Sequence, residues 1–147
     1  MYQNILVPTD GSKLSMKAVK IAVRLASKLG ARVTGVYCIA PFSDPLYSEG
    51  LSVSGPSAER QRSAARKAAR MALVEIEDAA SAAGVPCGSA ILASNTPWEG
   101  ILKTAKSKGS DLIVMASHGR RGLSGLLLGS ETVKVLTHSK IPVLVCR

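Results

Sequence analysis

Aromatic residues are nearly absent from this chain: one Trp, three Tyr and one Phe make 3% of 147 residues. A core with so few rings must be assembled from Val, Ile, Leu and Ala, and the 46% hydrophobic content supplies them. The same scarcity argues against binding single-stranded nucleic acid by stacking, which uses aromatic platforms. No uninterrupted apolar run reaches the roughly 18 residues of a membrane-spanning helix, so no membrane segment is expected. The first residues run directly into a strand pattern rather than a signal peptide, and the expected location is the cytoplasm.

Cysteine and histidine are also sparse. Cys38, Cys87 and Cys146 make an odd number, and no pair has Cys-x-x-Cys spacing. All three fall in or beside expected strands, where a thiol serves as a small apolar residue. His118 and His138 are the only histidines, and no His/Cys/Asp/Glu group has metal-ligand spacing. His118 reads as a loop residue or a contact at the edge of a ligand. His138 falls near a helix C-terminus, where the dipole and solvent suffice for it. There is no Gly-x-x-x-x-Gly-Lys loop and no defensible Ser-His-Asp order, which removes the P-loop and serine-hydrolase readings.

Acidic residues number 10 against 19 basic ones, for a net charge of +9. The basic residues are dispersed over several helices, apart from Arg60, Arg62, Arg66, Lys67 and Arg70. That cluster opens a long amphipathic helix and reads either as a solvated face or as an attraction for anions. Nucleic acid is not the expected partner.

What the chain has is alternation of strand and helix patterns. Strands are expected at residues 4–9, 31–39, 87–93, 111–116 and 142–146. Helices are expected at 13–29, 57–83, from 97 to near Gly109, and at 130–137. Gly30 stops the first helix; Gly84 and Pro86 end the second. The second helix carries a stripe of Ala65, Ala69, Ala72, Ile76, Ala79 and Ala83. Thr96-Pro97-Trp98-Glu99 reads as a capped helix start with a capping box. The strands are mostly continuous apolar runs, as in a parallel sheet covered on both faces. Strand-helix-strand units with right-handed crossovers give one doubly wound α/β domain over residues 1–147. Residues 40–56, with three prolines and two glycines, form a long connection that reads equally as a lid or as a tether.

The most informative stretch runs from Met115 to Ser130. Four glycines separate the strand Leu112-Ile113-Val114 from a helix that Ser130 can cap. Glycine allows close approach of the backbone to a phosphate, and the N–H groups opening a helix favour an anion. Gly119 and Gly129 have nine residues between them, and Ser130 follows. This loop resembles the ATP-binding signature of the universal stress protein family: glycine, two residues, glycine, nine residues, glycine and a hydroxyl residue. Ala116 stands where that signature has its first glycine. The opening Ile5-Leu6-Val7-Pro8-Thr9-Asp10-Gly11-Ser12 and the closing Ile141-Pro142-Val143-Leu144-Val145 extend the resemblance over almost the whole chain.

The resemblance implies a five-stranded parallel sheet of order 3-2-1-4-5, helices on both faces, similar to the adenine nucleotide α-hydrolase-like folds. Strands one and four are then neighbours with connections leaving in opposite directions, the switch point where such sheets bind ligands. Pro8, Thr9 and Asp10 end the first of these strands; Ala116 and His118 mark the end of the other. By the resemblance, Asp10 accepts hydrogen bonds from a ribose; by its position alone it is also a helix cap or a turn residue before Gly11. Gly119, Gly129 and Ser130 take the phosphate positions, with Arg120 and Glu131 beside them. Cys38, through its backbone, and Met115 line the adenine pocket.

The expected ligand is ATP, with any magnesium or manganese held by its phosphates. The expected role is a stress-response regulator whose conformation or choice of protein partner follows the nucleotide, without efficient catalysis. A slow ATP-hydrolysing enzyme and a nucleotide-free dimeric interaction protein remain as alternatives, the latter because of Ala116. The last strand, apolar on both faces and at a sheet edge in the implied order, is expected to pair with its own copy in a homodimer.

Overall fold

The computed structural model of the chain describes residues 1–41, 56–119 and 128–147. The elements in chain order are β1 (Asn4–Thr9), α1 (Lys13–Leu29), β2 (Arg32–Ile39), α2 (Pro56–Ala82), β3 (Cys87–Ala93), α3 (Pro97–Ser107), β4 (Leu112–Ala116), α4 (Ser130–His138) and β5 (Val143–Cys146). All neighbouring strands pair in parallel, in the order β3-β2-β1-β4-β5. The expected doubly wound topology is therefore present.

Side chains alternate across the sheet with the period of two that a strand imposes. Ile5, Val7, Val33, Leu112 and Val114 join the core that α1 and α2 cover. Leu6, Val36, Ile113 and Met115 join the core on the other face, with Ile101 and Ala105 of α3 and Val135 of α4. β1 and β4 are buried along their whole length, whereas the edge strands β3 and β5 are only partly covered. Small residues let the layers close. A Cβ on Gly35 of β2 would come within 3.0 Å of Ile76 Cδ1 and 3.3 Å of Leu73 Cδ2, so a side chain there would push these α2 residues back by a few tenths of an ångström.

Helix boundaries follow local chemistry. Gly30 closes α1 in the left-handed conformation, φ 65°, where a Cβ would be strained. Ala31 is not yet strand: its N–H still bonds to the Ala26 carbonyl, as part of the helix exit. Asp111 likewise precedes β4, because its carboxylate accepts the Gln3 and Asn4 N–H groups at 2.7 and 3.0 Å and clamps β1 and β4 at their start. Pro142 lies just outside β5, its carbonyl accepting Ile113 N–H.

On α2 the buried residues are Ala69, Ala72, Leu73, Ile76 and Ala80; Ala83 lies past the helix end and is exposed. The expected capping box at α3 does not form. The Thr96 hydroxyl donates to the Glu99 side chain at 2.9 Å rather than accepting a backbone N–H. At α4 the N-cap is Gly129, with no side-chain cap, and Ser130 is the first helical residue. No helix among the described residues is long and apolar enough to cross a membrane.

Candidate nucleotide site

The carboxyl ends of β1 and β4, the expected place of the crevice, belong to neighbouring strands joined through the pairs Ile5↔Leu112 and Leu6↔Ile113. On the β1 side the backbone turns sharply at Gly11, φ 76°. Asp10 holds this turn: its Oδ1 accepts the Ser12 N–H at 2.9 Å. Ser12, not Asp10, is the N-cap of α1, its hydroxyl accepting the Ser15 N–H at 3.2 Å. Asp10 is thus the turn residue of the two local readings. Pro8 and Thr9 are buried in the strand; the Thr9 hydroxyl shares a hydrogen bond with Ser15 Oγ at 3.0 Å and accepts the Gly11 N–H at 3.1 Å.

On the β4 side the chain leaves the sheet at Ala116. Its backbone is unstrained, since no described residue other than glycine has positive φ. The Ala116 carbonyl accepts the Thr132 hydroxyl at 3.0 Å, which ties β4 to the first turn of α4. Ser117 donates its N–H to the Cys146 carbonyl at 2.8 Å and accepts the Gly129 N–H at 2.7 Å. Both ends of the glycine loop are therefore pinned together at Ser117. His118 is half-buried, with Nδ1 3.2 Å from Ser117 Oγ.

Two glycines of the loop occupy places a side chain would disturb. A Cβ on Gly119 would stand 2.7 Å from Asp10 Oδ2. One on Gly129 would stand 3.1 Å from His118 Cα and 3.4 Å from the Ser117 carbonyl. The first contact brings the β1 turn and the mouth of the loop together, at the switch point. Because Gly129 has no side chain, the first N–H groups of α4 receive no side-chain cap, and such a helix start favours an anion.

The remaining candidates have other surroundings. Glu131 faces α3: one carboxylate oxygen accepts the Trp98 N–H at 2.9 Å, and the other is 3.2 Å from Lys134 Nζ. It serves the uncapped start of α3 while belonging to α4. Cys38, on β2, sits close by with Sγ 3.8 Å from the Pro97 carbonyl. Burial, and secondarily the charge of Glu131, push its thiol up to about 11. Burial also raises the thiols of Cys87 and Cys146, as expected of cysteines acting as packing residues. Met115 packs in the core with its side chain buried. Ser130 is exposed at the loop's exit. Arg120 and residues 42–55 of the expected lid or tether lie outside the described residues.

Two features were not legible from single residues. Trp98 stacks on His138, with ring centroids 4.6 Å apart and planes at 27°. The helix terminus and solvent are therefore not the whole account of His138, which joins α4 to α3. Thr132 buries its hydroxyl against the end of β4; its place one turn after Gly129 is the only sequence signal for that role. Among the described residues no group of three or more His, Cys, Asp or Glu could hold a metal ion.

Residues 1–147 match the universal stress protein family. A universal stress protein of Thermus aquaticus is 34% identical over 151 residues, covering the whole of both chains. Universal stress protein MJ0531 of Methanocaldococcus jannaschii is 33% identical over 149 residues, covering all of this chain and 83% of its own. Among solved structures, MJ0577 from the same organism matches with a TM-score of 0.81 at 28% identity, over 99% of this chain and 96% of its own. A universal stress protein solved in complex with cAMP matches with a TM-score of 0.67 at 27% identity, over 98% of this chain and 95% of its own.

Proposed function

The chain belongs to the universal stress protein family, and from that premise we propose that it binds an adenine nucleotide, ATP, in the crevice between β1 and β4. The observation that carries this reading is the 2.7 Å approach of Asp10 Oδ2 to the Cβ position of Gly119. It couples a carboxylate, suited to ribose hydroxyls, to a glycine loop, suited to phosphates. The phosphates lie over the start of α4, with the Gly129 backbone beneath them, and any magnesium or manganese is held by the phosphates. The similar protein in complex with cAMP supports an adenine ligand for this fold at 27% identity.

In this reading the nucleotide sets conformation or the choice of a protein partner in a cytoplasmic stress response. Turnover is negligible. Among the described residues Asp10 accepts the Ser12 N–H and His118 lies against Ser117 Oγ, bonds that hold the turn and the loop mouth in place. The protein acts as a homodimer through β5. Leu144 of that edge strand is 41% exposed, and Val133 and Leu136 of α4, which packs beside β5, are 45% and 41% exposed. Exposed apolar side chains beside an unpaired strand edge favour pairing with a second copy.

Mass spectrometry of small molecules released from freshly purified protein tests the ligand. An adenine nucleotide near one per chain is the expected result. Protein that carries none and takes up none from solution is better described as a nucleotide-free dimeric interaction protein.

A further inference from the structure

Helix α2 carries its charge in two blocks. Residues 60–70 hold five basic side chains and no acidic one; residues 71–82 hold three acidic side chains and no basic one. Its buried face packs on β2 and β3, at the end of the sheet away from β5. On the opposite face Arg60, Ala64, Lys67, Met71, Glu75 and Asp78 recur at helical spacing, and all are exposed. Met71 presents a large apolar side chain that is 59% exposed. The ion pairs of this helix among the described residues join Arg62 to Glu59 at 3.7 Å and Arg70 to Glu77 at 3.6 Å. Lys67, Glu75 and Asp78 take no part in them.

The stripe is self-complementary about Met71. Lys67 and Glu75 lie four residues to either side, and Ala64 and Asp78 lie seven. When two such helices run antiparallel about a twofold axis through Met71, each Lys67 faces Glu75 of the second copy. Ala64, the small residue, faces Asp78, and Arg60 lies one turn beyond it. Every basic block covers an acidic block, and the two Met71 side chains bury each other. A polyanion on the same face would meet the acidic block with repulsion and leave Met71 in water. We propose that the outer face of α2 is a docking surface for a second copy of this chain, paired antiparallel about Met71. This isologous contact is separate from the β5 edge and does not depend on the nucleotide reading.

Cysteine cross-linking in the full chain tests the axis. A disulfide needs Cα atoms about 4.4–6.8 Å apart, a condition the twofold axis meets at position 71. Ser81→Cys lies on an exposed part of the same helix, but its two copies would be about 30 Å apart. Under mild oxidation Met71→Cys should give at least about tenfold more covalent dimer than Ser81→Cys or the unsubstituted chain. In the Met71→Cys background, Lys67→Glu or Glu75→Lys should each reduce that dimer by about tenfold, since two symmetric pairs turn repulsive. The combined swap should restore it, and Leu144→Arg at the β5 edge should leave it unchanged. Equal cross-linking at positions 71 and 81, or a swap that fails to restore, overturns the proposal. So does a single Lys67→Glu variant that loses heparin retention while its cross-link stays intact, which would assign the face to a polyanion.

Discussion

Replacing Gly119 by Ala tests the geometry of the site without any ligand. The added Cβ would stand 2.7 Å from Asp10 Oδ2, closer than carbon and oxygen tolerate, so something must shift, and rotation of the carboxylate is the movement expected. Rotation breaks the 2.9 Å bond from Ser12 N–H to Asp10 Oδ1, which sets the turn into α1. A hydrogen bond to a charged group contributes about 1.5–3 kcal/mol, and the half-buried position of Asp10 favours the lower end. Against this, Gly→Ala stabilises by about 0.4–1 kcal/mol through the unfolded chain. The net expectation is a loss of roughly 1 kcal/mol, or about 2–4 °C in Tm for a domain of this size. The sign should change once the obstacle is removed: in an Asp10→Ala background, Gly119→Ala should be neutral or stabilising by about 0.4–1 kcal/mol. Urea unfolding of the four proteins closes the cycle. Equal effects of Gly119→Ala in both backgrounds, within about 0.3–0.5 kcal/mol, would refute the contact.

Other expectations concern the thiols, the edge and turnover. With its pKa pushed from 9.0 to about 11, Cys38 should react with iodoacetamide at pH 7.5 at least about tenfold more slowly than an unperturbed thiol, the smaller thiolate fraction outweighing its greater nucleophilicity; a normal rate would contradict the burial described. The same shift favours the folded state below pH 9 and is lost as pH rises from 9 towards 11, so alkaline destabilisation in that window should weaken in Cys38→Ala. Leu144→Arg should remove the β5 contact and reduce the assembly in sedimentation at micromolar concentration to copies joined through α2 alone; an unchanged assembly would move the first interface away from β5. Bound ATP with magnesium should persist far longer than in working enzymes, whose kcat is typically on the order of 1 per second or more. A rate in that range that Asp10→Ala abolishes would make the protein an enzyme.

The strands and helices were legible because each signal was local and repeated. The apolar runs of β1 and β4 read as doubly covered strands and are buried at every position. Gly30 marked the end of α1 because a single glycine decides that conformation. Caps were misread where two neighbours compete. Thr96 and Glu99 satisfy each other as side chains, and Gly129 displaces Ser130 from the cap because the loop must close onto Ser117.

In the crevice, the convergence of Asp10 with the glycine loop followed from topology, since the sheet order makes β1 and β4 neighbours. The role of Glu131 did not. Its carboxylate serves the start of α3, 33 positions away in sequence, and no local pattern predicts a bond across two helices. The Trp98–His138 stack was hidden for the same reason.

The central claim, that this crevice binds ATP on its glycine loop, is tested most directly by calorimetric titration of ATP into the unsubstituted protein, Gly129→Asp and Ala116→Gly. A carboxylate at position 129 repels and excludes phosphates, so Gly129→Asp should bind at least about tenfold more weakly, a loss of 1.4 kcal/mol. Ala116→Gly should bind as well as the unsubstituted chain or better, because it restores the glycine of the family signature. Equal binding by Gly129→Asp would place the phosphates elsewhere, and no binding by either the unsubstituted chain or Ala116→Gly would contradict the nucleotide account itself.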